Sequence, residues 1–307
     1  SLPLGWLALK RLSHARRSDT IPRHAERVLV IGASSGIGRA IALRYAERGA
    51  KLCLVGRRAV ELEDAREECG AVQKEAGRVH SSGVLSVVAD FADAGDMVRV
   101  REILDKEWGG LDTLVVSAGV SALQPLMHLA GVEGRSIDAD APTVEGIRNT
   151  ADIASAATRG NYLGPLVSAV TLIPFLSKSP SPSILLISSL AAAIPAPTRT
   201  LYTSTKAASF MLYRSLSIEH PNITFSYILP STVEGDFRAS AVDSGPVRET
   251  DPNKHGLKRA AVAARSVRAI DDGEGTVFMP AFYWWAHLLY WFFPSFVGRQ
   301  ASRKYNF

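Results

Sequence analysis

The stretch Val28-Leu29-Val30-Ile31-Gly32-Ala33-Ser34-Ser35-Gly36-Ile37-Gly38 decides the fold of this chain. Four consecutive apolar residues read as a strand buried on both faces. The glycines at 32, 36 and 38 follow it, and 39–48 is an amphipathic helical run ended by Gly49. Glycines in this place let the backbone turn sharply and approach a pyrophosphate, whose charge meets the unpaired N–H groups of a helix N-terminus. The alternative is a tight turn with no ligand. A strand before the glycines and a helix after them favour the dinucleotide.

Outward from this unit the pattern repeats. Strands are expected at 51–55, 84–88, 113–116, 184–187 and 224–229, and helices at 61–69, 97–108, 163–176 and 202–219. The alternation predicts an α/β chain with a single-domain Rossmann fold. Its doubly wound parallel sheet has about seven strands, with helices on both faces. No repeat or Pro/Ser-rich linker divides it, so one catalytic domain is expected over 27–280. It carries an insertion at about 120–158, follows a basic arm (1–26) and precedes an aromatic segment (281–307). The insertion is rich in Gly, Ala, Asp and Thr and weakly periodic. A loop that long is usually functional or partly helical. It begins and ends beside the expected site, so it reads as shaping substrate access, against a plain surface elaboration.

Composition narrows the class. With 47% hydrophobic and 21% charged residues, disordered and low-complexity chains are excluded. Cys53 and Cys69 cannot make a disulfide framework, and no Cys/His spacing predicts a metal site. A reducing compartment, or no dependence on an oxidising one, follows. The net charge of +5 is concentrated in 1–27, where Lys10, Arg11, Arg16, Arg17, Arg23 and Arg27 face Asp19 and Glu26, leaving +4 there. That distribution argues against a nucleic-acid groove on the main domain. It fits either a basic arm near an anionic membrane surface or a solvated tail. The apolar run 2–9 is too short to span a bilayer and lacks a preceding basic region. The chain opens on Ser1 rather than Met, which leaves open a segment upstream.

The end of the second strand selects the dinucleotide. A carboxylate there would accept from the adenosine ribose hydroxyls and repel a 2′-phosphate. This chain has Val55-Gly56-Arg57-Arg58, two guanidiniums and no acid. Arginine is the favoured bidentate partner of phosphate, so NADP(H) is expected, against the alternative that the arginines are merely solvated. Asp90, after the third strand, is placed to accept from the adenine amino group or to cap the helix that follows.

Tyr202 and Lys206 stand four residues apart at a helix start and share one face. A phenol is a poor acid/base at neutral pH, and an adjacent ammonium stabilises its phenolate. Ser189 lies thirteen residues upstream, directly after a buried strand, where a parallel-sheet enzyme puts its chemistry. Ser188 is the rival serine.

Here the sequence resembles the short-chain dehydrogenase/reductase family, over roughly 27–280. The resemblance rests on Gly32, Gly36 and Gly38, on Ser189, Tyr202 and Lys206 in their spacing, and on Asn161 in Gly160-Asn161-Tyr162-Leu163-Gly164. It implies Tyr202 as general acid/base and Ser189 orienting the carbonyl. Lys206 would tune Tyr202 and hold the nicotinamide ribose, and Asn161 would anchor a water in the proton relay. It also implies cofactor contacts from Ser34, Ser35, Ile37, Ser117, Ala118, Gly119, Pro230 and Val233, beside Arg57, Arg58 and Asp90. The family's Asn-Asn-Ala-Gly is Val116-Ser117-Ala118-Gly119 here, and its Pro-Gly pair is Pro230-Ser231. Gly235 stands where a Thr often contacts the carboxamide. The insertion is longer than family members usually carry. Within the family the chain looks most like membrane-associated hydroxysteroid-dehydrogenase-type and lipid-ketone reductases. An oxidoreductase acting on the C=O or CH–OH group of a bulky apolar substrate is expected. The alternatives are a non-catalytic NADP(H)-binding sensor or scaffold and an NAD-linked alcohol oxidase. A dimer or tetramer built on the helices carrying Asn161 and Tyr202 is also implied.

Nine of the chain's 24 aromatic residues fall between Phe282 and Phe296. Pro280 and Pro294 bracket an expected helix of about 20 Å over 281–293, short of the roughly 30 Å hydrocarbon core. Trp and Tyr favour the headgroup boundary, and Arg299, Arg303 and Lys304 follow where anionic lipid would attract them. An interfacial helix on the cytoplasmic side of a membrane is expected, against burial on a second subunit.

Overall fold

The computed structural model describes residues 17–80, 83–132, 141–244 and 252–305. The apolar run 2–9, the basic residues Lys10, Arg11 and Arg16, and residues 133–140 of the insertion lie outside the described residues.

Among the described residues, seven parallel strands form one sheet. They are β1 (Arg27–Ile31), β2 (Lys51–Gly56), β3 (Leu85–Val88), β4 (Thr113–Val116), β5 (Ser183–Ile187), β6 (Thr224–Pro230) and β7 (Thr276–Met279). Their order is β3-β2-β1-β4-β5-β6-β7, so the winding reverses between β1 and β4. The main helices are α1 (Gly36–Glu47), α2 (Ala59–Glu75), α3 (Ala94–Trp108), α4 (Val144–Thr158), α5 (Gly164–Leu176), α6 (Thr200–Glu219) and α7 (Arg259–Asp271). Two more, α8 (Tyr283–Phe292) and α9 (Pro294–Tyr305), close the chain.

The two-residue period of the strands sorts the core. Leu29 and Ile31 pack with Met97 and Leu104 of α3, Leu172 of α5 and Phe210 of α6. Val28 and Val30 face the other way, onto Ile41 and Tyr45 of α1, Leu62 of α2 and Val267 of α7. Both sheet faces are thus covered, as continuous apolar runs require. Truncating a fully buried leucine such as Leu29 or Leu54 in such a layer costs about 2–5 kcal/mol. The register levels the strand ends: Ile31 pairs with Val116, and Val116 with Leu186. All the loops that follow therefore open on one edge.

The opposite edge is held by ions. Arg17, 8% exposed, pairs with Glu26 and donates to Thr113 Oγ1 at 2.7 Å and to the Asp112 carbonyl at 3.2 Å. Arg27 forks onto Asp112 at 2.7 and 2.9 Å, and Ser179 donates to the same carboxylate at 2.6 Å. Of the expected basic arm, only 17–26 is described. Arg17 and Arg27 are spent on buried carboxylates, and Arg17, Ile21 and Glu26 are buried while Asp19, Thr20 and 22–25 are exposed.

Two elements differ from the sequence reading. The helix expected from 163 begins at Val144, because α4 runs into a π-helical turn (Arg159–Leu163) and then α5. Thr143 caps α4, its Oγ1 accepting from Gly146 N–H at 3.1 Å. Ala157 is the only buried residue of α4, and its apolar positions Val144, Ile147, Ala151 and Ala154, at helical spacing, are left largely uncovered. At the C-terminus, Pro294 ends α8 and opens α9, a first-turn position where its missing N–H does no harm. No helix among the described residues is long and apolar enough to cross a membrane.

Candidate active site

The glycine loop sits at the reversal of the winding. Gly32 has φ +87°, and a Cβ on it would lie 2.6 Å from Ala118 N, so only glycine lets the β1 and β4 loops meet. A Cβ on Gly38 would collide with the Gly32 carbonyl, which makes that glycine a packing requirement of α1. Gly36, φ +60°, differs: its missing Cβ faces open space on a cavity wall. No side chain caps α1 at Ser35, so its first N–H groups are left to whatever occupies that space. A pyrophosphate fits such a cradle.

Arg57 and Arg58 continue the same wall. Arg58 donates to Ser34 Oγ at 3.0 Å and Ser35 Oγ at 2.6 Å, which ties the end of β2 to the glycine loop. Arg57 is exposed. Asp90 is placed differently. Its carboxylate accepts from Ala92 N–H at 3.0 Å and pairs with Arg159 at 2.9 Å, while Ala89 and Phe91 form the wall beside it. The Arg159 guanidinium and the Ala92 hydrogen bond hold the Asp90 carboxyl below the usual range against the effect of burial. Capping of α3 falls to Asp93, which accepts from Asp96 N–H at 2.9 Å.

At the other end of the cavity, the first residues of α6 meet the ends of β4 and β5. Lys206 is 5% exposed and donates to the Ile187 carbonyl at 3.2 Å. Burial pushes its ammonium down to about 8. Asn161, wholly buried in the π-helical turn, accepts from Val120 N–H at 2.9 Å. It donates to the Val120 carbonyl at 3.0 Å and to Thr205 Oγ1 at 3.1 Å, so one amide ties the β4 loop to α6. A Cβ on Gly119 would lie 2.9 Å from Asn161 Oδ1 and 3.0 Å from Lys206 Nζ. Ser189, half-buried, accepts from Ala191 N–H at 3.2 Å and faces the cavity with Tyr202 and Lys206.

The cavity measures about 710 Å³ and runs from the glycine loop past Tyr202 to the C-terminal helices. Its far lobe is largely apolar, lined by Leu190, Ile194 and Ala196 and by Tyr283, Leu289 and Phe296 of α8 and α9, with Arg199, Arg238 and Gln300 also on the wall. Arg199 stacks on the Tyr202 ring, its guanidinium carbon 4.3 Å from the centroid, and donates to Ser121 Oγ at 2.9 Å.

Comparison with known proteins gives the family. Residues 26–244 match the family model of the short chain dehydrogenases. The chain belongs to the short-chain dehydrogenases. It is 29% identical over 271 residues to 11-beta-hydroxysteroid dehydrogenase A of Sesamum indicum, covering 84% of this chain and 70% of that one. It is 29% identical over 269 residues to dehydrogenase/reductase SDR family member 7B of Mus musculus, covering 86% and 75%. An alcohol dehydrogenase from the archaeon Thermococcus sibiricus, complexed with 5-hydroxy-NADP, superposes with a TM-score of 0.65 at 24% identity, covering 83% and 95%.

As a short-chain dehydrogenase the chain is an oxidoreductase with a nicotinamide-dinucleotide fold. Of the residues singled out from sequence, the structure gathers Gly32, Ser34, Ser35, Gly36 and Ile37 with Arg57 and Arg58 at one end of the cavity. Ser117, Ala118 and Gly119 lie between them and the Ser189, Tyr202 and Lys206 end, with Pro230 and Val233 across from these. Asn161, Gly38 and Asp90 stand behind the wall. Sequence reasoning missed Arg199, although its place three residues before Tyr202 puts it within reach along a helix. It also missed α9, whose Val297, Ala301 and Tyr305 enter the wall from nearly a hundred residues beyond Tyr202.

Proposed function

We propose that the chain is an NADP(H)-dependent short-chain dehydrogenase/reductase that interconverts a ketone or aldehyde and an alcohol on a bulky apolar, lipid- or steroid-like substrate. One observation carries this reading: a single cavity joins a glycine loop flanked by Arg57 and Arg58 to an apolar lobe, with Ser189, Tyr202 and Lys206 between them. The hydroxysteroid dehydrogenase name of the plant relative points to the same substrate class. When bound, the nicotinamide supplies the hydride for the carbonyl carbon. Ser189 holds the carbonyl oxygen by a hydrogen bond, and the Tyr202 hydroxyl gives that oxygen its proton. Lys206, charged at neutral pH, supports the phenolate left behind and binds the nicotinamide ribose. Asn161 keeps the β4 loop and α6 in register, so that these groups meet. Arg57 and Arg58 would take the 2′-phosphate. Asp90 could accept from the adenine amino group only by sharing its carboxylate with Arg159.

Purified protein with NADPH and a panel of steroid, long-chain and aromatic ketones tests the proposal. Oxidation of NADPH that Tyr202→Phe abolishes supports it. No turnover on any ketone, with Tyr202→Phe indistinguishable from wild type, refutes it.

The reading extends to place and assembly. Helix α8 lines the cavity with Tyr283 and Leu289 and turns Trp285, Trp291 and Phe292 outward, each at least 68% exposed. Such a face, followed by Arg299 and Arg303, fits the headgroup layer of a membrane on the cytoplasmic side, where an apolar substrate partitions. Exposed Val170 of α5 and Met211 and Ile218 of α6 fit a homodimer or tetramer built on those helices. Replacing Trp285, Trp291 and Phe292 together by Asn should abolish flotation with anionic liposomes while leaving the sedimentation mass unchanged. Loss of the dimer with no prior lipid affinity would assign the aromatic face to a second subunit instead.

A further inference from the structure

Ser188 stands between two residues already accounted for. Ile187 before it gives its carbonyl to Lys206, and Ser189 after it faces the substrate lobe. Its backbone N–H donates to the Ile228 carbonyl at 2.9 Å, which anchors it at the end of the sheet. Its hydroxyl is another matter. The residue is 3% exposed, and its Oγ has no hydrogen-bond partner among the described residues. A buried hydroxyl left in that state destabilises the fold that carries it, and such groups are uncommon. Tyr45 Oη, Trp108 Nε1, Thr203 Oγ1 and Asp243 Oδ1 are also orphaned, but none of those residues belongs to the cavity wall, as Ser188 does. The Arg199 guanidinium, whose Nε makes no bond of its own there, is held in the wall by Ser121 Oγ and the Tyr202 ring.

We propose that Ser188 is a cofactor-binding residue, whose hydroxyl is completed by a hydrogen bond to the nicotinamide riboside half of the dinucleotide. The inference rests on the cofactor reading given above. Depth selects the cofactor over the substrate. Ser188 is 3% exposed where Ser189 is half-buried, its N–H is held by Ile228 of β6, and the carbonyl before it is held by Lys206. The substrate lobe opens on the other side of Ser189, toward Leu190 and α8. The two adjacent serines therefore divide the work: Ser189 serves the reacting carbonyl, and Ser188 the ring system that delivers the hydride.

Ser188→Ala separates this from a structural role. Removing an orphaned hydroxyl should leave the thermal midpoint of the ligand-free protein at or above that of wild type. The dissociation constant for NADP⁺, followed by tryptophan fluorescence, should rise about fivefold, the loss of one hydrogen bond. That for 2′-AMP, which lacks the nicotinamide riboside, should stay unchanged. An unchanged NADP⁺ affinity, an equal loss for both ligands, or a lowered midpoint of the ligand-free protein overturns the proposal. Wild-type protein that binds neither NADP⁺ nor NAD⁺ would instead remove the cofactor reading beneath it.

Discussion

Replacing Lys206 by Met should stabilise the ligand-free protein at neutral pH while abolishing catalysis. The ammonium is 5% exposed, and burial lowers it from 10.5 to about 8. A difference of about two and a half pH units between unfolded and folded states amounts to about 3 kcal/mol of destabilisation. Below pH 8 both states hold the proton, so the whole penalty is present. Between about 8 and 10.5 the folded state releases its proton first, and the wild type gains stability as pH rises. Met removes the penalty but leaves the Ile187 carbonyl without its donor, which costs about 1 kcal/mol. The net gain at pH 7 is about 2 kcal/mol, or roughly 5 °C in the melting midpoint. Guanidinium denaturation of both proteins without cofactor, from pH 7 to 10.5, provides the assay. Burial raises Tyr45, Tyr213, Tyr227 and Tyr305 and pushes Cys53 and Cys69 up to about 12, so both proteins lose stability at alkaline pH. Those contributions cancel in the difference. The advantage of Lys206→Met should be constant to about pH 8, shrink above it, and reverse by about 1 kcal/mol near pH 10.5. A variant less stable than wild type at pH 7, or a difference independent of pH, would refute the reasoning.

Arg57→Asp should weaken NADPH by one or two charge-assisted contacts of about 1.5–3 kcal/mol each and leave NADH nearly untouched; equal losses in calorimetric titration would reject the 2′-phosphate assignment. Gly119→Ala should lower kcat/KM at least about tenfold with the circular dichroism spectrum unchanged, because the new methyl falls 3.0 Å from Lys206 Nζ and 2.9 Å from Asn161 Oδ1. Asp112→Ala should cost about 3 kcal/mol by stranding Arg27, with no change in KM, since that pair lies at the sheet edge away from the cavity. In wild type the Arg27 and Ser179 contacts hold the Asp112 carboxyl below 3.8 despite its burial. The stability it contributes is therefore complete at neutral pH and lost as pH falls through and below 4, which acid titration of the unfolding midpoint should follow.

Local chemistry made most of this protein legible in its sequence. The run 28–38 announces strand, turn and helix because backbone geometry and apolar period act within a few residues. That Arg57 at the end of β2, and Tyr202 and Lys206 one helical turn apart, would share a cavity wall was legible for the same reason. Helix α4 is not legible in this way, although Val144, Ile147, Ala151 and Ala154 stand at helical spacing, because that short stripe is interleaved with Gly146, Asn149, Thr150 and Ser155 inside the expected insertion. Nor could the sequence tell that Arg17 is buried, because its partners Glu26, the adjacent pair Asp112 and Thr113, and the Ser181 carbonyl come from three separate places in the chain. The orphaned hydroxyl of Ser188, the amide of Asn161 spanning the β4 loop and α6, and the entry of α9 into the cavity wall were decided only by the folded chain. Each depends on which distant segments the doubly wound sheet brings to one edge, and contact between groups dozens of residues apart leaves no periodic mark on either.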